Sequence, residues 1–253
     1  MLDRQKLDSV LTELLQIERV RDYCPNGLQV EGKQEIRRIV TGVTASQALV
    51  DAAIGWGADA ILVHHGYFWK NEAPVITGMK KKRLQALLTN EINLFAYHLP
   101  LDIHPELGNN AQLGKLLTAE SITPLATVEP VGVLMQGEFA KARSLSQVAT
   151  LLQQQLGRDV LVHDAGSNKP VRKLAWCTGG GQGYIEQAAA AGADLFISGE
   201  VSEQTIHVSR ELDIHFIAAG HHATERYGVK ALGEYLAANF PLDVKFIDID
   251  NPA

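Results

Sequence analysis

The sequence predicts an α/β protein with two interlinked, internally repeated β-α-β domains, mostly parallel sheets in three layers, and a small α+β insertion. Residues 36–66 and 171–201 support this prediction, because they align without a gap at an offset of 135 residues. Each stretch has a hydrophobic–basic–basic–hydrophobic start, an Ala-rich helical span and the tripeptide Gly-Ala-Asp before an apolar run. This order predicts strand, helix and strand, with parallel pairing and a right-handed crossover.

The individual elements follow from local patterns. An amphipathic first helix is expected over Leu7, Val10, Leu11, Leu14 and Leu15, with Asp3 as its N-cap. The strand, helix and strand of each repeat are expected at 39–43, 46–55 and 60–63, and at 174–177, 182–191 and 195–197. Gly57 and Gly192 are expected to end the two helices. A third strand follows in each half, at 92–97 and 214–219.

The sequence pattern of residues 126–168 differs from that of the two repeats and predicts the α+β insertion, which could act as a lid. A strand over 131–135, interrupted by Gly132, precedes a helix over 144–156 and a strand over 160–163. The expected domains are therefore a first repeat half at 1–125, the insertion at 126–168 and a second repeat half at 169–253.

Composition excludes several classes of protein. The formal charge of −6 argues against non-specific nucleic-acid binding, and 46% hydrophobic with 21% charged residues argues against disorder. No apolar run approaches the ~18 residues of a membrane span. The polar start of the chain is unlike a signal peptide, and Cys24 and Cys177 have no disulfide-framework spacing, so we expect a cytoplasmic protein without membrane contact.

Histidines recur just past the C-terminal ends of the predicted strands. His64 and His65 follow the second strand, His98 follows the third, and His221 and His222 follow the last strand of the second half. In open α/β sheets, ligands bind at this edge. The pattern therefore predicts a functional site there.

Metal binding is the hypothesis that accounts for these residues together. Adjacent strand residues point to opposite faces, but at a strand end followed by Gly66 the backbone can turn and bring His64 and His65 together. Asp102 follows His98 closely, and a carboxylate can bridge two ions. Taken singly, the two histidines are equally typical of a polar loop and Asp102 of a turn or cap.

The last predicted helix adds two further candidate ligands. His221 and Glu225 are spaced i, i+4 and share one helix face, whereas His222 points elsewhere and is expected beside the site or in solvent. Glu225 alone could simply favour the helix dipole. Together, five candidate metal ligands leave room for two ions with bound water: His64, His65, Asp102, His221 and Glu225.

The chain resembles the Nif-three-like dinuclear-metal family, whose bacterial members are called GTP cyclohydrolase 1 type 2 homologues. The motifs that carry the resemblance are PNGLQV at 25–30, HHGYFW at 64–69, HLPLD at 98–102, GHHATE at 220–225 and the C-terminal NPA. It implies that His64, His65, Asp102, His221 and Glu225 bind two divalent ions. It also implies a toroidal homohexamer with the metals facing its interior.

Two functions from different classes follow. The first is a dinuclear-metal hydrolase acting on a nucleotide or another small anionic heterocycle or phosphorylated substrate, with Zn, Fe, Mn or Co as the two ions. The second is a non-catalytic metal-binding ring that binds protein or nucleic-acid partners or handles metal. His98 and Glu200 are the candidate catalytic residues, and Glu200 occupies the repeat position of His65.

Three other motifs have both a functional and a structural interpretation. The glycine-rich turn 179–183 could cradle a phosphate or allow close packing. The basic run 80–83 could attract a nucleotide phosphate or a nucleic-acid strand, or form a solvated helix face. The aromatic residues 67–69 could stack a base, or could hold down a loop or a subunit interface. Glu203 and His207 are expected to form a surface pair.

Overall fold

The computed structural model describes residues 1–166 and 169–253. The helices are α1 (Arg4–Leu15), α2 (Gln47–Trp56), α3 (Gly78–Thr89), α4 (Leu99–Asp102), α5 (Asn109–Leu116), α6 (Leu145–Leu156), α7 (Ile185–Ala190), α8 (Glu203–Glu211) and α9 (His221–Asn239). The strands are β1 (Leu2–Asp3), β2 (Gly27–Val30), β3 (Glu35–Ile36), β4 (Arg38–Thr44), β5 (Ala60–His65), β6 (Asn93–Ala96), β7 (Glu120–Pro124), β8 (Met135–Arg143), β9 (Leu161–His163), β10 (Val171–Cys177), β11 (Leu195–Ser198), β12 (His215–Ala218) and β13 (Asp243–Phe246). Within the described ranges, no helix combines the length and apolarity that a membrane crossing requires.

The chain forms two compact units. The first contains residues 1–101 and 228–250, and the second contains 102–227 and 251–253. The sequence predicts a different division, into domains at 1–125, 126–168 and 169–253. The two units do not test this division, which stays a prediction.

The sheet of the first unit has the order β13-β4-β5-β6-β2 and is parallel except where β2 pairs with β6. Its three central strands, β4, β5 and β6, are largely buried on both faces, as the continuous apolar runs predict. Val40, Ile61 and Leu94 point to one side, where α2 and α3 cover them. On the other side, Gly233 of α9 approaches Thr41 so closely that a Cβ would lie 2.9 Å from the threonine methyl.

The sheet of the second unit has the order β7-β8-β10-β11-β12-β9. Its three central strands are parallel, and the flanking strands pair antiparallel. Alternate residues enter two different cores, so that Trp176 and Ile197 pack with α5 and α6, and Phe196 and Phe216 with α7. The second unit is thus a three-layer arrangement whose centre is parallel.

Residues 126–166 contribute to this same sheet, whereas positions 167 and 168 of the expected insertion lie outside the described residues. The helix expected at 144–156 forms as α6, with a capping box between Ser144 and Gln147, and the last expected strand forms as β9. The strand expected at 131–135 was placed too early, because β8 begins only at Met135. Gly132 has φ +103° and packs against Ile103, which is turn geometry. The sequence also missed β7, a polar strand that pairs with β8.

The helices of the two repeats end in the same way. Gly57 has φ +72° and Gly192 has φ +80°, so each ends its helix in the left-handed region that glycine tolerates best. The helix expected at 182–191 is divided, because 182–184 form a 3-10 turn before α7 begins.

Candidate metal centre

His64 and His65 lie at the C-terminal end of β5, and their rings converge. Their centroids are 4.5 Å apart, although adjacent strand residues normally point to opposite faces. Gly66 follows at a point of close approach, where a Cβ would lie 2.2 Å from the amide oxygen of Gln29. Gln29 also accepts a hydrogen bond from the Tyr67 backbone N–H and donates one to the Tyr67 carbonyl, so it holds the turn after the two histidines.

Both imidazoles are held through Nδ1. His64 is fully buried, and its Nδ1 lies 3.0 Å from the Tyr97 carbonyl oxygen. Because a carbonyl can only accept, this Nδ1 carries the proton and Nε2 carries the lone pair. His65 Nδ1 lies 3.1 Å from the Thr44 hydroxyl. Both residues therefore direct Nε2 away from their hydrogen-bond partners, as metal-binding histidines do.

His98 joins this group from the end of β6. Its ring centroid is 5.1 Å from that of His64 and 5.8 Å from that of His65. One ring nitrogen of each of the three residues lies within 4.8 Å of the others. His98 Nδ1 donates to Asp22 Oδ1 over 2.7 Å, and its backbone N–H donates to the Asn26 side chain.

In the second unit, Asp102 is buried and lies close to Glu225. The side chain of Asn109 donates to Asp102 Oδ1 over 2.8 Å, and the Thr178 hydroxyl lies 3.4 Å from the same oxygen. A carboxylate oxygen of Asp102 lies within 4.8 Å of one of Glu225, which is itself 3% exposed. Two buried carboxylates this close favour a cation.

His221 lies beside Glu225, as the i, i+4 spacing predicts. Its Nε2 is 3.1 Å from Glu225 Oε2, and its Nδ1 is 2.6 Å from Glu200 Oε1. Burial lowers the pKa of His221, but hydrogen bonds and charge from Glu225 and then Glu200 raise the pKa to about 9. His222 instead donates its backbone N–H to the Ala253 carbonyl.

The glycine-rich turn packs against these ligands. Gly179 has φ +61°, and a Cβ on it would lie 2.0 Å from Glu225 Oε1. Its N–H donates to the Thr224 hydroxyl, and its carbonyl accepts from the Gly199 N–H. The geometry favours close packing of the turn over the phosphate-cradle interpretation.

The other sequence motifs have structural contacts of their own. Tyr67 is buried and donates to the Ala45 carbonyl, so it anchors the loop, whereas Phe68 is partly exposed. In the basic run, Lys80 pairs with Glu72 at 3.2 Å. His207 and Glu203 lie 3.8 Å apart on the surface of α8, as expected.

The donor chemistry of both groups fits divalent ions. The first unit supplies imidazoles whose Nδ1 atoms already have oxygen partners, and the second supplies carboxylates with one imidazole. Mixed histidine and carboxylate ligation suits Zn, Fe, Mn or Co. Both cysteines are free thiols, and burial raises the pKa of Cys177 well above its usual value, with the charges of Asp102 and Glu225 adding to this effect.

Sequence reasoning missed the residues that orient these side chains. Asp22 and Asn26 contact His98 from 76 and 72 positions away in sequence, and Thr44 contacts His65 from 21 away. The PNGLQV motif contains Asn26, but nothing in the motif indicates its contact with His98. Asp22, four residues before Asn26, carries no local signal that separates it from a solvated aspartate.

Comparison with known proteins shows which family this chain is similar to. The model of the Duf34/NIF3 (NGG1p interacting factor 3) family matches residues 2–252. A Yersinia pestis relative named GTP cyclohydrolase 1 type 2 homolog is 59% identical and covers 98% of both chains. The solved structure of the protein ybgI is 54% identical with a TM-score of 0.94, and that of TTHA1606 from Thermus thermophilus is 38% identical with a TM-score of 0.91; both cover 100% of both chains. The chain therefore belongs to the Duf34/NIF3 family.

Proposed function

We propose that this protein is a divalent-metal-dependent hydrolase that binds two ions and acts on a nucleotide or another small anionic heterocycle or phosphorylated substrate. The ligands of the proposal are His64, His65, Asp102, His221 and Glu225. The observation that carries it is the shared hydrogen-bonding state of His64, His65 and His221, whose Nδ1 atoms each contact an oxygen. The nucleotide is suggested by the relatives named GTP cyclohydrolase 1 type 2 homolog.

Divalent ions held by these residues would supply Lewis-acid stabilisation of a developing oxyanion and would acidify the attacking water. In a hydrolysis, the water oxygen bonds to the electrophilic atom, the bond from that atom to the leaving group breaks, one proton of the water passes to a base, and the leaving group receives a proton. We assign His98 Nε2 as the proton acceptor, because its Nδ1 is bonded to Asp22.

Glu200 was the second candidate catalytic residue. Its Oε1 contacts His221 Nδ1, and its Oε2 lies 3.3 Å from the side-chain nitrogen of Gln182. Both oxygens therefore already have partners. These contacts favour a supporting role beside the site over an acid/base role. We propose that Glu200 orients His221 for metal binding.

The first test is elemental analysis of protein purified without chelators or a His-tag. We expect about two transition-metal ions per chain in the wild type, following the two-metal arrangement. His64→Ala and His221→Ala should lose metal. His207→Ala removes a surface histidine and should retain it. Loss of metal in the His207 variant as well, or well under one ion per chain in the wild type after reconstitution, would refute the metal site.

Activity is tested next on the metal-loaded protein with a panel of nucleotides, phosphoesters and cyclic amides. His98→Gln should keep its metal and lose ~10²-fold or more in kcat, the usual contribution of a general base. Loss of metal in this variant would instead make His98 a ligand.

A second candidate function is a non-catalytic metal-binding ring, the homohexamer that the family resemblance implies, which binds protein partners. The family description, NGG1p interacting factor 3, favours it. Metal-loaded protein that turns over no substrate of the panel, yet binds a partner specifically and sediments as a hexamer, would support this function over hydrolysis.

A further inference from the structure

Asp22 is a buried carboxylate with an unusually complete set of hydrogen-bond donors. Its side chain is 2% exposed. Oδ1 accepts from the Tyr23 N–H and from His98 Nδ1, over 2.6 and 2.7 Å. Oδ2 accepts from the Asn26 side chain and from the Leu99 N–H, each over 2.9 Å.

These four donors argue against a metal at Asp22. A carboxylate has about four lone-pair positions, and all of them are used here. Cys24 lies within 4.8 Å of Asp22 and His98, which gives the three residues the spacing of a ligand group. However, burial, followed by the charge of Asp22, raises the pKa of Cys24 to about 12, so its sulfur stays a thiol.

The contacts of Asp22 converge on His98 and on the start of α4. Oδ1 receives the imidazole, Oδ2 receives the first N–H of the helix, and Asn26 links the two by accepting from the His98 backbone N–H over 2.7 Å. The ring of Trp69 packs against the same imidazole in a T-shaped arrangement, with a centroid distance of 5.0 Å. The ring of His98 is thus fixed in position and in tautomer.

We propose that Asp22 is a positioning residue that keeps the proton of His98 on Nδ1 and thereby leaves Nε2 as a proton acceptor in the imidazole beside His64 and His65. The catalytic part of this inference rests on the proposed function, in which His98 takes the proton from water. The tautomer itself is a property of the folded chain and is measurable without substrate.

The informative substitution is Asp22→Asn, which preserves shape and removes one acceptor. If the amide oxygen of the new side chain faces His98, its N–H groups face the Leu99 N–H, which places donor against donor. If the oxygen faces Leu99, the amide N–H groups oppose His98 Nδ1 and favour the other tautomer. No orientation satisfies all four donors, so His98 should populate both tautomers in this variant.

Asp59→Asn is the matched control. Asp59 is also a buried carboxylate of the first unit and accepts from two backbone N–H groups and from Lys33. It precedes β5, whereas His64 and His65 end that strand, so this substitution should leave His98 unchanged.

The experiment is long-range ¹H–¹⁵N correlation NMR of the imidazoles in metal-free protein, with His98→Gln to assign the signals. We expect Nδ1–H in the wild type and in Asp59→Asn, and a mixture of tautomers in Asp22→Asn. An Nε2–H signal in the wild type, or an unchanged Nδ1–H signal in folded Asp22→Asn, would overturn the inference. The wild-type measurement tests it even if the variant does not fold.

A kinetic measurement completes the test once a substrate is known. Asp22→Asn removes the correct tautomer from part of the population and also removes the negative charge beside the imidazole once it is protonated. Together these losses should lower kcat about 10- to 100-fold, with bound metal and KM nearly unchanged. If the tautomer depends on Asp22 but the panel gives no turnover, the positioning role stands and the hydrolase proposal fails. If kcat is unchanged while the tautomer shifts, the proton-acceptor role of His98 fails.

Discussion

Asp59 and Asp194 occupy equivalent positions in the two repeats and make equivalent hydrogen bonds. Asp59 Oδ2 accepts from the backbone N–H groups of Arg37 and Arg38 at the start of β4. Asp194 Oδ2 does the same at β10, over 3.0 and 2.8 Å. The Gly-Ala-Asp tripeptide is therefore a structural motif, in which the aspartate joins the beginnings of two neighbouring parallel strands.

Asp59→Asn should lower the free energy of unfolding by about 1–2 kcal/mol at neutral pH, because a charged acceptor of buried N–H groups is lost. Burial raises the pKa of Asp59, but hydrogen bonds from Arg38, Arg37 and Lys33 outweigh it and hold the pKa below its usual value. Its contribution is therefore complete above the unfolded-state pKa of about 3.9 and is lost as the pH falls through the folded-state pKa.

Chemical denaturation across a pH series measures this effect. The difference between wild type and variant should shrink as the pH falls below about 4. Asp51→Asn, at an exposed position of α2, is the control and should change stability little. A difference that stays constant down to the lowest pH would contradict the assignment to the ionised carboxylate.

At the scale of elements, the turn between β10 and the 3-10 helix 182–184 is shaped by the candidate metal ligands that pack against it. Gly179 combines a positive φ with the close approach of Glu225. Gly183, four residues later, has open space where a Cβ would lie. Close packing and backbone conformation therefore require glycine at 179, whereas the space around Gly183 does not require it.

Gly179→Ala should therefore displace Glu225 and lower the metal content. It should also lower the free energy of unfolding by about 2 kcal/mol or more. Gly183→Ala is the matched control and should leave both properties close to wild type. Denaturant unfolding together with elemental analysis makes the comparison. Full metal content in Gly179→Ala would argue that Glu225 is not a ligand.

At the scale of the whole molecule, each repeat places its candidate functional side chains at the carboxyl edge of its own parallel strands. His65 ends β5 and His98 follows β6, while Glu200 follows β11 and His221 follows β12. In each unit, this is the edge at which open α/β sheets generally bind ligands.

Metal binding should appear in global stability. An ion that binds only the folded state at a free concentration of 100 times Kd adds about 2.7 kcal/mol. At about 2–4 °C per kcal/mol for a chain of this size, chelation should lower Tm by roughly 5–10 °C. Calorimetry with and without chelator is the measurement. His207→Ala should respond like the wild type and His64→Ala should not, while an unresponsive wild type would contradict the metal proposal.

The sequence by itself determined the β-α-β repeats, the glycine helix ends, the Asp3 cap of α1 and the strand-end histidines. These are local properties, since side-chain periodicity and capping depend on residues a few positions apart. The sequence analysis misplaced the start of β8. It also missed β7, because β7 is polar and is stabilised by its pairing with β8.

Only the tertiary structure decided how the candidate ligands are oriented. The contacts of Asp22 with His98, Tyr97 with His64 and Glu200 with His221 join residues 76, 33 and 21 positions apart. In His98 and His64, these contacts decide which ring nitrogen carries the proton. No local propensity encodes them, since they form only when the chain has brought separate strand ends to one edge of a sheet.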